Sequence, residues 1–418
     1  MNAYTMLSDA RKETDKLFAL VRPDWLYERP IAERHRLVFY LGHLEAFDWN
    51  LLRPHMRNGE AFRASFDRLF AFGIDPVDGG LPSDSPSDWP SVAEIRGYNQ
   101  RVRQRLDDAE HDTLLLHMAV EHRLMHAETL AYMLHQLPLE GKDPEPQAPL
   151  PLSEPIRREM IGIPAGCATL GLPRNAAFGW DNEFDAHPVE VPAFAIDRYK
   201  VTNRDYLEFV EDGGYRDPSL WTVEGWQWKA ERNITHPAFW RLASGKWRWR
   251  TMFDEIPLPL DWPVYVSHAE ASAYAKRAGF RLPTESEWHR AAYGTPEGSE
   301  RQFPWGAEPP AAEHGYYGFA RWDPAPVNAF PAGRSAFAVI GLLATGWEWT
   351  ATPFAPFRGF KAHPSYAGYS ADFFDGMHYV LKGGSTRTAA SMLRRSFRNW
   401  FQRHYQYVYA GFRCARGV

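Results

Sequence analysis

The chain's 418 residues are enough for two or three domains with a core each, and 44% hydrophobic with 24% charged residues is the balance of an ordinary globular protein. A formal net charge of -5 offers no basic footprint for nucleic acid, and no apolar run is long enough to cross a membrane. Two cysteines, Cys167 and Cys414, stand far apart in no metal-type or redox spacing, and positions 1–20 carry charges throughout with no signal-peptide core, which argues against a disulfide framework or a thiolate metal site and for a cytoplasmic location.

Apolar residues at helical spacing (Leu7, Ala10, Leu17, Phe18) predict a first helix over 8–20. Breaks at Arg22-Pro23 and Arg29-Pro30 lead to a second, roughly Ala32 to Arg53, which carries His43 among Leu41, Leu44 and Phe47. A core histidine donating to a backbone carbonyl fits that setting as well as a metal ligand does. From Phe72 to Pro90 the chain is rich in Gly, Pro, Ser and Asp, and the embedded Ile74 and Trp89 suit a packed lid. Helices are expected again over Ser91 to Asp108 and Asp112 to Leu137, making a four-helix bundle with one long crossover.

The last helix contains His122 and His126. Histidines at i and i+4 leave one helix face a turn apart and can converge on one ion. Such a pair often arises by accident. A third histidine, His43, on a facing helix turns it into a candidate open three-histidine site.

Residues 138–155 are Pro-rich and polar and read as a linker between domains at 1–137 and 156–418. Beyond it come strand-like pieces at 159–166 and 189–196 and helical runs over Asn203 to Glu211 and Ser267 to Ala278, an α+β pattern. The chain has 17 Trp and 33 Pro, and most of the Trp lie after residue 170, which points to a loop-rich second half with aromatic-lined clefts.

Several separated motifs of the second half, among them Arg281-Leu282-Pro283-Thr284-Glu285-Ser286-Glu287-Trp288, Trp347-Glu348-Trp349-Thr350, Lys382-Gly383-Gly384-Ser385 and Ala410-Gly411-Phe412-Arg413, occur in the order seen in the sulfatase-modifying-factor (C-type-lectin-like) fold, which this half resembles. Formylglycine-generating enzymes of that fold act through paired cysteines near the C-terminus. Only Cys414 stands there, so that activity is disfavoured, and a non-enzymatic ligand-binding protein stays open. The first half resembles the DinB-like four-helix domain of the ergothioneine-type non-haem iron sulfoxide synthases. Their His-x3-His-x-Glu motif is matched by His122, His126 and Glu128, and their Leu-Gly-His by His43. The resemblance implies Fe(II) bound by His43, His122 and His126, with positions left for substrate and O2. Glu128, two residues past His126, is expected to orient a ligand by a hydrogen bond; a capping or salt-bridged acid is the competing reading.

Asn399-Trp400 is similar to the segment with which these synthases hold hercynine, the trimethylated betaine of histidine. Aromatic faces and carbonyl oxygens suit a quaternary ammonium, and amide donors suit its carboxylate; Trp400 can also be read as ordinary core. Branches that take a peptide-type thiol carry an acid and an arginine where this chain has Phe401 and Tyr405, so that donor is not expected. The adjacent lid tyrosines of cysteine-using branches are absent from Leu69 to Ile74. A common Gln is Met125 here, and the usual Gly-Asn-Val-Trp-Glu-Trp-Thr reads Ala344-Thr345-Gly346-Trp347-Glu348-Trp349-Thr350. With Met125 and Phe401 lining a remodelled substrate site, the resemblance points to the selenoneine synthase branch: O2-dependent C–Se bond formation at imidazole C2 of hercynine with a selenosugar. The alternative is C–S bond formation with cysteine. Tyr405, Tyr407, Tyr409 and Tyr369 are unranked proton-donor candidates, and each can also be structural.

Overall fold

The computed structural model describes residues 3–57, 59–71, 81–146, 156–176, 178–343 and 345–418. The chain divides into two compact units, Met1–Pro146 and Gln147–Val418, the division falling inside the Pro-rich stretch.

The first unit has four long helices, α1 (Ala3–Ala19), α2 (Leu37–Leu52), α4 (Val92–Asp107) and α5 (Thr113–Gln136), with a short α3 (Ala64–Leu69) that the sequence pattern did not announce. Helix α2 is central: every residue except Phe47 and Asn50 is buried, because it is apolar nearly all round. It packs on α3, α4 and α5, while α1 packs on α5. Helix α4 opens with a Ser91/Glu94 capping box, and α5 opens on Asp112, whose carboxylate accepts from the Leu114 and Leu115 amides. Helix α1 begins five residues before the expected start. Helix α2 begins five residues later than expected, since Arg36 is held outside it by the Tyr27 carbonyl and Asp84.

Of the expected lid, Ile74 and its neighbours 72–80 lie outside the described residues. The rest is anchored: Asp84 takes Arg29, Arg36 and the Trp89 indole N–H, and the Tyr27 hydroxyl donates to the Pro90 carbonyl. Asp143 N donates to the Leu20 carbonyl at 2.8 Å and Arg22 N to that of Gly141 at 3.0 Å. Gly141 and Lys142 are buried, so the first residues of the Pro-rich stretch do bury surface, on the helical unit.

The second unit carries twelve short strands and four helices among its described residues. The strands are β1 (Met160–Ile163), β2 (Gly166–Leu170), β3 (His187–Val191), β4 (Phe194–Asp197), β5 (Trp240–Ala243), β6 (Lys246–Arg250), β7 (Glu255–Pro257), β8 (Gly346–Pro353), β9 (His378–Gly384), β10 (Asn399–Gln402), β11 (Ala410–Gly411) and β12 (Ala415–Gly417). They form sheets ordered β1-β4-β12, β10-β9-β8-β11, β2-β3 and β5-β6-β7. Helices α6 (Asn203–Glu211) and α8 (His268–Arg277) are the expected two; α7 (Val223–Glu231) and α9 (Glu285–Tyr293) are additional. Helix α9 opens on a Thr284/Glu287 capping box.

The motif residues of this unit are mostly buried structure. Glu348 accepts from Arg413 Nε at 2.6 Å and Nη2 at 2.8 Å and from the Trp288 indole at 3.0 Å, and Lys200 stands 3.1 Å away. Arg398 is likewise held by Glu285 and by the Asn182 and Ala355 carbonyls.

Candidate metal centre

Helix α5 presents His122 and His126 one turn apart, and α2 presents His43 to both. His126 Nε2 lies 3.1 Å from His122 Nε2 and 3.2 Å from His43 Nε2. The rings are 1–3% exposed, and among the described residues these three side chains are the group placed to share one ion.

Each ring is fixed by its neighbours. His43 Nδ1 meets the Phe70 carbonyl at 2.7 Å; a carbonyl can only accept, so Nδ1 carries the proton and Nε2 the lone pair. Both readings of His43 are thus met in one residue: it donates to a backbone carbonyl with one nitrogen and faces the triad with the other. Phe70 closes α3, which explains that short helix. Gly42 is required beside it, since a methyl there would meet the Phe70 ring at 2.5 Å. Phe47 stacks on His122 at 3.4 Å and 10°, and Phe39 on His43 at 4.8 Å and 21°. Sequence reasoning passed over Phe39, although Phe39, His43 and Phe47 recur every four residues along α2.

Burial lowers His43 to about 4, against a smaller opposing contribution from the Phe70 bond. Burial also holds His122 and His126 well below the ordinary histidine range, with neighbouring imidazoles and Arg123 adding to it. All three are therefore neutral at neutral pH, the form that ligates a metal. An ion about 2.1 Å from each of three nitrogens holds them roughly 3.0–3.4 Å apart, depending on geometry. These two spacings fall in that range, so the donor set fits a divalent metal of the class bound by imidazole, iron included.

Glu128 is buried on α5 and is not part of the converging group, and Met125 is half-buried on the same helix. In the second unit Asn399, Trp400 and Phe401 lie consecutively on β10, whose alternation sends Trp400 to one face and its two neighbours to the other. The Asn399 and Trp400 side chains leave opposite faces, and the Asn399 amide oxygen accepts from the Trp400 backbone N–H at 2.9 Å. Trp400 stacks on Phe354 at 4.3 Å and 6° and meets Tyr369 edge-on at 5.2 Å, with Phe373 at 5.7 Å. Tyr369 in turn stacks on Trp180 at 3.9 Å. Phe401 stacks on Tyr405 at 5.1 Å and 8°, and Tyr407 meets Tyr405 edge-on at 5.5 Å. Tyr409 is 1% exposed and packs against Phe239 and Tyr265. Phe354, Phe373 and Trp180 were not singled out from the sequence, because residues far apart in the chain leave no spacing signal.

A buried three-histidine group in a helical unit followed by an α+β unit defines a candidate metal protein of two-part build. Residues 148–418 match the sulfatase-modifying factor enzyme 1-like domain family. Over 346 residues the chain is 38% identical to the hercynine oxygenase of Mycobacterium tuberculosis, covering 78% of each chain. Over 356 residues it is 39% identical to that of Mycolicibacterium smegmatis, covering 81% of this chain and 80% of the relative. The formylglycine-generating enzyme of Mycobacterium tuberculosis is 29% identical over 240 residues, 47% of this chain and 75% of that one. The chain belongs to the hercynine oxygenase family and is a non-haem iron oxidoreductase, and its buried triad is consistent with that family's iron. Among the described residues no helix is long and apolar enough to cross a membrane.

Proposed function

We propose that this protein couples hercynine to a small chalcogen donor with O2, at an iron(II) held by His43, His122 and His126. The observation that carries the reading is the convergence of three buried, neutral imidazole nitrogens in a chain 38% identical to a hercynine oxygenase. When bound, the metal supplies O2 activation. The balance with a thiol is simple. The imidazole C2–H and the S–H bonds break, a C–S and an S=O bond form, and the second oxygen atom leaves as water.

The chain's residues would prepare that chemistry. The Phe70 carbonyl and the Phe39 and Phe47 rings hold the imidazoles in place and keep water from them. Trp400, with Phe354 and Tyr369, offers aromatic surface to the trimethylammonium group. Tyr369 is favoured as proton donor over the other three tyrosines because its ring touches Trp400. Glu128 is assigned to orienting a ligand.

The donor is first read as a small thiol such as cysteine. A selenosugar is the second reading, and one feature of this chain favours it: Phe401 and Tyr405 form a stacked aromatic pair where peptide-thiol branches carry an acid and an arginine. A sugar ring packs against such a surface, whereas a charged peptide finds no partner on it. Product mass from iron-loaded protein given hercynine, O2 and either cysteine or a selenosugar decides. A sulfoxide from cysteine supports the first reading, a selenium adduct from the selenosugar alone supports the second, and no adduct with either sinks both.

A further inference from the structure

We infer that Arg123 is a positioning residue for the metal centre: its guanidinium fixes the register of α2 against α5 and so sets where His43 stands relative to His122 and His126. This rests on the metal reading given above. His122 and His126 share α5, so helix geometry alone places them. His43 comes from another helix, and its place depends on how the two helices align. A slip of one residue would carry it about 1.5 Å along the axis and turn it about 100°. Apolar packing is less directional, because side-chain ridges at similar spacings can fit the same grooves. Directional bonds carry no such ambiguity.

Arg123 follows the ligand His122 in the chain, and Leu44 follows the ligand His43. Arg123 Nη2 donates to the Leu44 carbonyl at 3.0 Å, to Glu45 Oε2 at 2.9 Å and to Asp48 Oδ2 at 2.6 Å. Its Nη1 donates to Glu45 Oε1 at 3.1 Å and to Thr14 Oγ1 on α1 at 3.3 Å. From the other side, Asn99 on α4 donates to the Leu41 carbonyl at 2.7 Å, and Arg103 bonds Glu45. The backbone of α2 is therefore held at 41 and at 44, on either side of His43. Arg123 and Asp48 are 0% exposed and Glu45 is 1% exposed. Replacing buried ions by apolar side chains is often neutral or stabilising, so stability by itself is a poor account of this cluster. Registry is the better-attested use of such groups, and the planar fork is what lysine lacks.

The test is Co(II) binding by the full chain, read as a dissociation constant and a ligand-field spectrum, with far-UV circular dichroism as the check on folding. Two variants are needed: Arg123→Lys, and Arg123→Met combined with Glu45→Gln and Asp48→Asn, which leaves no unpaired charge behind. Both are expected to fold and to bind Co(II) at least about tenfold more weakly with an altered spectrum, the size typical of lost support behind a ligand. The lysine variant should be the milder. Wild-type affinity and spectrum in a folded neutral variant overturn the inference, and so does failure of both variants to fold, which would make the cluster a stabiliser only. The unsubstituted chain and His122→Ala run alongside: if the first binds no Co(II), or the second binds it undiminished, it is the metal reading that has failed.

Discussion

Compare two kinds of buried polar centre, the three imidazoles of the helical unit and the ion pairs of the α+β unit. At the centre of the helical unit three imidazoles are buried without charge, His126 Nε2 lying 3.1 Å from that of His122 and 3.2 Å from that of His43. At the centre of the α+β unit the charges are kept and matched: Glu348 with Arg413 and Lys200, Glu285 with Arg398, Glu183 with Arg394. The matched ions leave no valence for anything else. The imidazoles turn their Nε2 atoms towards one another, where a cation would share them, which is costly for folding and useful for binding. Burial of polar groups alone therefore does not mark a functional site. Unsettled donor chemistry does.

The largest effect expected from breaking this contrast is His122→Ala. Iron content measured by mass spectrometry should fall to background, and hercynine-dependent O2 uptake with it, while far-UV circular dichroism of the helices stays unchanged. Retained iron would remove the ligand assignment.

Next comes Glu348→Ala in the α+β unit. It strands the fully buried Arg413 and should cost about 3–5 kcal/mol in urea unfolding. Co(II) affinity should not move in protein that remains folded. A weakened metal site together with a small stability loss would contradict the division of labour drawn here.

The helical fold was legible because its signals are local. Hydrophobic periodicity and caps at Ser91 and Asp112 placed α4 and α5 to within a residue or two, and the spacing of His122 and His126 is itself a statement about helix geometry. Short α3 escaped, since six residues make too short a pattern; its purpose, to bring the Phe70 carbonyl to His43, is a tertiary one. The aromatic wall around Trp400 was legible only in part. Phe354, Phe373 and Tyr369 reach it from loops far along the chain, and the opposite facing of Asn399 and Trp400 follows from a strand that the sequence reading had not drawn.

Acid should separate metal-free from metal-loaded protein. His43 is held at about 4 when folded against 6.5 as its ordinary value, so between those values the unfolded chain takes up more protons. Its contribution is fully present above pH 6.5 and is lost as the pH falls from 6.5 towards 4, in total roughly 3 kcal/mol. Hydrogen exchange on α2 and α5 in metal-free protein should show this decline, and His43→Phe should make it less steep, His122 and His126 keeping their own share. An unchanged slope in that variant would mean that other groups set the acid limit.

The smallest effect sharpens the contrast from inside the helical unit. Asp112 caps α5, accepting from the Leu114 amide at 2.8 Å and that of Leu115 at 3.3 Å. Asp112→Ala leaves those donors to water and should cost about 1 kcal/mol of unfolding free energy. His122 stands ten residues further along the same helix, beyond the turn that a lost cap frays, and is fixed by Phe47 and the helices around it. Co(II) affinity should accordingly stay within about twofold of the unsubstituted chain, since a fraying end opens locally rather than with the core. Were affinity to fall together with stability, the triad would depend on the whole length of α5. Register against α2 would then be one of several conditions on the site, and the contrast between a locally fixed centre and a globally stabilised fold would have to be given up.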